Sequence, residues 1–259
     1  MIPSKALYLE ERRQEILKRV HEHGRVSVAE LSRRLNVSPV TIRTDLQALA
    51  GRNLVIRTHG GAIPAADGRY ELALALRRRQ HVPEKSRIGQ AAAARVVNGD
   101  AIFLDSSSTA LAIVPHLKNR RQLTVVTNSL AVAQELQDTP GVTVVLPGGV
   151  LQNDTLSLIG LDGLAMLRKY NIQKGFVGAH GLSLPEGLTD VSAAEAEIKR
   201  ELAAMCRQLV AVVDATKWGL VGLAAFACVE DVHTIITDTH APAESVNQVR
   251  ALGLEIILV

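Results

Sequence analysis

Cysteine, aromatic residues and long apolar runs are all scarce in this chain, and each scarcity removes a class of protein. Two cysteines among 259 residues, Cys206 and Cys228, cannot build a disulfide framework or a four-thiolate zinc site. No run of about 18 uncharged apolar residues occurs, so no membrane-spanning helix is expected. The opening residues, Met1-Ile2-Pro3-Ser4-Lys5 and then Glu10 and Glu11, offer no apolar core for a secretory signal. A cytoplasmic protein is therefore expected. The aromatics are one Trp, three Tyr and three Phe, and only Tyr8 falls within the first 64 residues. Readers of RNA and of single strands stack bases on aromatic platforms, so this chain has little to offer them.

What is present is an ordinary globular composition, 47% hydrophobic and 21% charged, of a length that suits one or two domains. The net charge of +3 hides a split. Residues 1–95 carry 18 Lys and Arg against 9 Asp and Glu, and residues 96–259 carry 11 against 17. A basic module for a polyanion joined to an acidic body accounts for this, and duplex DNA is the polyanion that fits. A solvated basic helix with no partner is the plain alternative.

The first 64 residues read as three short helices and a short strand pair. The first helix, 9–23, turns Ile16, Leu17 and Val20 to one face, with Gly24 placed to end it. The second opens on Ser27-Val28-Ala29-Glu30, a capping-box pattern, and Asn36 breaks it. The third opens on Ser38-Pro39, an N-cap followed by proline in the first turn, and Gly51 closes it. Its apolar residues Ile42, Leu46 and Leu49 recur at i, i+4 and i+7, leaving Val40, Thr41, Arg43, Thr44 and Gln47 outward. Leu54 to His59 reads as a strand, with Gly60-Gly61 a turn at its end. Such a pair of helices followed by a strand and turn describes a winged helix-turn-helix, whose outward helix fits the major groove. Ser38 and Thr41 are candidates for phosphate contacts, as is Arg57 on the wing strand, and Ser27 and His59 are further DNA-binding candidates. A small helical interaction domain is the alternative.

Several stretches carry a resemblance. Glu11-Arg12-Arg13-Gln14-Glu15-Ile16-Leu17, Gly24 to Leu31, Val37-Ser38 with Thr41-Ile42-Arg43 and Asp45-Leu46, and His59-Gly60-Gly61-Ala62 closely resemble the DeoR family of bacterial transcriptional repressors. The likeness covers nearly all of residues 9–63. Thr44 stands where many members have a second arginine.

Beyond a linker at 65–85, with a helix expected over 70–80, the pattern changes. Apolar runs recur at 101–104, 123–126, 142–146, 175–179, 209–213, 234–236 and 254–259. Helical stretches at 130–136, 193–207 and 243–252 separate several of them. This alternation indicates an α/β domain, 86–259, with a mainly parallel sheet. Ligands of such sheets sit beyond the carboxyl ends of the strands. Asp105-Ser106-Ser107-Ser108-Thr109 follows the first run, Asn128 the second, and Gly148-Gly149 the third. Hydroxyls and amides in such loops can hold a phosphate, and an N-cap cluster is the alternative reading. Glu195 and Lys199 lie four apart on a helix, and Asp214 and Lys217 follow a later run; an exposed helix pair and a loop ion pair are the simplest readings of these. The eight histidines show no metal-ligand spacing, so neither metal nor cofactor is expected.

This half is similar to the sugar-phosphate sensor domain of the same family, a relative in fold of ribose-5-phosphate isomerase. The resemblance implies an effector site made of Asp105 to Thr109, Asn128, Gly148, Gly149, His180, Glu195, Asp214 and Lys217. It also implies a homodimer or homotetramer on operator DNA. Two positions depart from the family pattern. Ser107 replaces a glycine, which would strain a loop of positive φ. His180 replaces an aspartate that serves catalysis in the isomerase relatives. The expectation is a repressor of a sugar-metabolism operon, relieved by a phosphorylated sugar. The alternative is a sugar-phosphate isomerase with an appended DNA-binding module, against which the loss of the carboxylate at His180 counts. An architectural DNA protein would have no use for the polar strand-end loops.

Overall fold

The computed structural model describes residues 8–23, 26–51, 54–58, 60–64 and 74–259, with backbone alone at 21, 56, 63 and 64. The chain divides into two compact units, one up to Leu76 and one from Arg77 to Val259. His59 and Gly24, both singled out above, lie outside the described residues, as does the 65–73 portion of the expected linker.

In the first unit, α1 (Leu9–His23), α2 (Val28–Leu35) and α3 (Pro39–Gly51) enclose one apolar core. Ile16, Val20, Leu31, Ile42 and Leu46 are fully buried within it. The helix boundaries follow from local chemistry. Ser27 Oγ accepts the Glu30 amide at the start of α2, and Asn36 ends that helix in the left-handed region at φ 52. Ser38 Oγ accepts the Thr41 amide at 3.1 Å, capping α3. The wing is larger than the expected strand pair. β1 (Val26–Ser27), β2 (Val55–Thr58) and β3 (Gly61–Pro64) form an antiparallel sheet in the order β1-β3-β2. Gly61, expected in the turn, is a strand residue lying so close to β1 that a Cβ there would sit 1.8 Å from the Val26 carbonyl oxygen. Two residues are too short a run for periodicity to reveal, and β1 went unanticipated for that reason.

The short helix α4 (Leu74–Arg77) ends on the first residue of the second unit, which continues with α5 (Val82–Ala94). Seven parallel strands follow: β4 (Ala101–Leu104), β5 (Leu123–Thr127), β6 (Val142–Val145), β9 (Ile172–Val177), β12 (Cys206–Val212), β14 (Thr234–Thr237) and β15 (Glu255–Leu258). Their order is β15-β14-β12-β9-β4-β5-β6. All seven apolar runs read from the sequence are in this sheet. Its inner strands β4, β5, β9 and β12 are buried along most of their length, as continuous rather than alternating apolar runs predict. The helices α6 (Ser108–Leu111), α7 (Leu130–Leu136), α8 (Ala193–Ala204) and α9 (Ala243–Ala251) complete the layers.

Two small sheets went unread in the sequence. The hairpin β7 (Val150–Gln152) and β8 (Ser157–Ile159) follows β6. β10 (Gly181–Ser183), β11 (Gly187–Asp190) and β13 (Ala224–Ala227) pair antiparallel beside the main sheet.

Candidate functional site

On the first unit the outward face of α3 is as the periodicity predicts. Val40 is 66% exposed, and Arg43, Thr44 and Gln47 are exposed with it, while Thr41 is half-buried. Beneath this face Asp45 is 1% exposed and receives Arg12 Nε at 2.6 Å and Arg13 Nε at 3.0 Å. One buried carboxylate thereby fixes α1 against α3. Arg57 on β2 donates from Nη1 to the Arg43 carbonyl at 3.1 Å, which ties the wing to the outward helix. Ser27 and Ser38 use their side chains as caps on α2 and α3.

In the second unit the polar residues gather at the carboxyl ends of β4, β5, β9 and β12. Asp105 is fully buried: Oδ1 accepts the Ser107 amide at 2.9 Å and Oδ2 accepts the Gly178 amide at 2.9 Å. The same Oδ2 lies 2.9 Å from Lys199 Nζ, which also reaches Asp190 Oδ2 at 2.7 Å and the Gly178 carbonyl at 3.2 Å. Burial alone would lower the Lys199 pKa, but the carboxylates of Asp105, Asp190 and Glu195 outweigh it and the net direction is up. Burial opposes ionisation of Asp190 too, and Lys199 overcomes it, so that carboxyl ends below its ordinary value.

Glu195 forms the second centre. Its Oε1 accepts Thr155 Oγ1 at 2.8 Å and the Ser157 hydroxyl, and its Oε2 accepts Ser106 Oγ at 3.2 Å. Glu195 and Lys199 are both 3% exposed, so they are no exposed helix pair. Both hold the 105–109 loop, Lys199 through Asp105 and Glu195 through Ser106.

Several polar groups here remain unspent. Ser108 and Thr109 are 7% and 5% exposed, and their hydroxyls engage no protein partner among the described residues. Asn128 is fully buried; Nδ2 donates to the Leu158 carbonyl at 3.3 Å, and Oδ1 has no partner. Asp214 Oδ1 accepts the Thr216 amide at 3.0 Å, whereas its buried Oδ2 accepts nothing. Buried polar atoms without partners are costly, and a cluster of them at strand ends has the chemistry of a ligand site.

The two departures from the family pattern resolve differently. Ser107 has φ −75, so no glycine-like conformation is strained, and its hydroxyl caps α6 by accepting the Ala110 amide. The glycine is needed across from it instead, where a Cβ on Gly178 would lie 2.4 Å from Ser107 Oγ. His180 is half-buried and its amide donates to the Thr189 carbonyl at 2.9 Å. Gly148 and Gly149 are exposed, with φ of 78 and 122, and serve the turn into β7. Asp214 and Lys217 form no ion pair with one another among the described residues.

Sequence reasoning missed Thr155, Ser157 and Asp190, which lie on short strands and turns, and also Arg77 and Lys85. Lys85 is 5% exposed on the stripe it shares with Ile88, Gly89 and Ala92. A lysine at i of an i, i+3, i+4, i+7 apolar face was the available signal.

A winged helix-turn-helix with an exposed outward helix, in one chain with an α/β unit holding unspent polar groups at its strand ends, defines a ligand-sensing transcription regulator. Residues 12–66 match the DeoR-like helix-turn-helix domain and residues 80–239 match the DeoR C terminal sensor domain. The chain belongs to the DeoR family. It is 36% identical to the HTH-type transcriptional regulator GolR of Listeria innocua, over 88% of this chain and 90% of that one. It is 32% identical to the glycerol-3-phosphate regulon repressor of Escherichia coli, over 92% and 94% respectively. Among solved structures, ribose 5-phosphate isomerase from Plasmodium falciparum aligns over 54% of each chain at 14% identity and a TM-score of 0.39. That likeness is too remote to bear on activity.

Proposed function

We propose that this protein represses a sugar-metabolism operon by binding duplex operator DNA as a homodimer or homotetramer, and that a phosphorylated sugar in the sensor unit relieves repression. The observation that carries the effector half is the set of buried, unspent groups at Ser108, Thr109, Asn128 and Asp214. A dianion recovers its desolvation cost only where several hydroxyls, amides and cations converge. Ser108 and Thr109 would hold the phosphate with Lys217, Ser106 would add its backbone amide because its hydroxyl donates to Glu195, and Asn128 and His180 would meet the sugar hydroxyls. Asp105 and Glu195 would act through the loops they hold, since their oxygens are occupied by protein donors. The E. coli relative named for a glycerol-3-phosphate regulon is consistent with a phosphorylated effector.

On DNA, Val40, Thr41, Arg43, Thr44 and Gln47 would face the bases. Ser27, Ser38 and Arg57 would lie along the backbone, with His59 beside the wing. The comparisons lend no support to the isomerase alternative, because both matched domains are those of DNA-binding regulators. A function on DNA would fit the cytoplasmic location expected from the sequence.

The test is a thermal-shift screen of phosphorylated sugars against their unphosphorylated parents, followed by titration of DNA release. A ligand of the folded state raises stability by mass action. Thr109→Val should weaken the effector by about 1–3 kcal/mol and leave operator binding unchanged. Release driven equally well by the free sugar, or indifferent to Thr109→Val, would leave the 105–109 loop as a helix cap only.

A further inference from the structure

Among the described residues, Lys85 is a buried cation without a buried anion bonded to it. Its ammonium donates to the backbone carbonyls of Arg77 at 2.7 Å and Gln80 at 3.0 Å. The Arg77 carbonyl ends α4, where helix carbonyls lack intrahelical partners. Residues 77–80 are thus held from beneath by one side chain. Another side-chain anchor of this segment is the more exposed Arg78–Glu135 ion pair at 2.6 Å, of a kind that contributes little. Arg77 is also the first residue of the sensor unit, where the chain arrives from the DNA-binding unit.

The helix that carries Lys85 packs on the end of α6 in the strand-end cluster, where a Cβ on Gly89, one turn on from Lys85, would lie 2.3 Å from the Ala112 carbonyl oxygen. Lys85 feels the charges of Asp214, Lys217, Arg77 and Glu84. Arg77 feels Asp190, Asp105 and Glu195, and its Nε is buried without a partner.

We propose that Lys85 is the release latch of the sensor unit: it holds residues 77–80 by their carbonyls when the site is empty and turns to the anionic group of the effector when the site fills. The proposal rests on the reading of the strand-end cluster as a phosphate site. Its physical basis is a competition between partners. Two neutral carbonyls compensate a buried ammonium poorly, whereas hydrogen bonds to an anion are about twice as strong as neutral ones. Burial has accordingly pushed Lys85 down to about 8, with Asp214 opposing and Lys217 and Arg77 reinforcing the shift. Once Lys85 turns, the Gln80 carbonyl must find water, the Arg77 carbonyl keeps only the Gln80 amide at 3.3 Å, and the segment loosens. A local loss of order at the point of entry is a sufficient way to bias DNA binding.

The experiment uses full-length protein with inorganic phosphate and D-ribose 5-phosphate as probes. Amide exchange over residues 77–82 is followed by mass spectrometry, and binding by thermal shift and calorimetry. In wild type, a bound probe should speed exchange of this segment roughly tenfold. In Lys85→Met the segment should exchange fast without probe and not respond to it, and phosphate should bind roughly tenfold or more weakly. Calorimetry on wild type near pH 8, in two buffers of different ionisation heat, should also show proton uptake on binding. Lys85→Arg, whose guanidinium does not titrate, should show none. This last comparison decides the matter should Lys85→Met fail to fold. Probe binding that leaves 77–82 unchanged or more protected, or proton uptake that is absent or persists in Lys85→Arg, overturns the latch and leaves the pocket standing. Failure of wild type to bind either probe overturns the pocket, and the latch with it.

Discussion

Arg43, Lys85 and Lys199 are cations in three different surroundings, and each should answer a different experiment. Arg43 is exposed on the outward face of α3, with nothing of its own fold depending on its guanidinium. Arg43→Ala should therefore weaken operator binding without lowering thermal stability. A bidentate arginine on guanine is worth about 1–3 kcal/mol of base discrimination, so specificity should relax at one base pair. Affinity and base preference unchanged in a gel-shift series would contradict the assignment of this helix. Lys85 is a question of pH. Its folded-state pKa of about 8 lies below the ordinary 10.5, so between those values the unfolded chain keeps a proton that the native state has released. Stability must then rise with pH across that window, by up to about 3 kcal/mol. Lys199 has the opposite sign, since its raised pKa stabilises the fold below 10.5 and that contribution is lost only in stronger alkali. Comparing wild type with Lys85→Met cancels Lys199 and isolates Lys85. The single tryptophan, Trp218, is 8% exposed in the sensor unit and reports its unfolding. A difference between the two proteins that stays flat from pH 8 to 10.5 would refute the shift.

At the scale of elements, buried carboxylates do the fixing. Asp45 joins α1 to α3 through Arg12 and Arg13, and Asp105 joins β4 to the Gly178 end of β9 and to α8 through Lys199. Breaking a buried pair from one side costs about 3–5 kcal/mol, because the partner charge stays behind. Asp45→Ala should unfold the first unit at markedly lower denaturant, followed by far-UV circular dichroism, and reduce DNA affinity with it. Lys199→Met should do the same to the sensor unit, by Trp218 fluorescence. A shift below about 1 kcal/mol in either would mean that the pair is solvated. These pairs also show why the sequence was only partly legible. The seven strands of the main sheet and helices α1, α3 and α7 could be read because continuous β-branched runs and 3.6-residue stripes are local patterns. The caps at Ser27 and Ser38 were legible for the same reason. By contrast, Asp45–Arg12, Glu195–Ser157 and Lys199–Asp105 are meetings of distant segments, which no spacing encodes. β1, β8 and β11 are too short to display a period. Glu195 and Lys199 at i, i+4 looked like a surface pair, and only tertiary packing shows that both are buried and hold adjacent residues of the 105–109 loop.

For the whole molecule, the division of charge sets how it meets DNA. The first 95 residues carry a net +9 and the remainder a net −6. The body should therefore repel a duplex that the winged helix-turn-helix attracts, and binding should weaken steeply with salt. Removing Arg57 should flatten that dependence by about one counterion if it touches a phosphate. Its bond to the Arg43 carbonyl adds a second expectation, that the same variant also perturbs base reading. One such domain contacts only a few base pairs, too few to single out an operator among the competing sites of a genome. The proposed dimer or tetramer supplies the remedy by placing two outward helices on half-sites about 34–36 Å apart along the groove. Light scattering should therefore give at least a dimer for the free protein and for its DNA complex. An operator fragment trimmed to one half-site should lose roughly a thousandfold in affinity, which approaches the nonspecific level. A phosphorylated effector should release the two-site complex without dissociating the protein, because the groups proposed to bind it lie within one chain. A protein that is strictly monomeric both free and bound, or that binds one half-site as tightly as two, would rule this arrangement out.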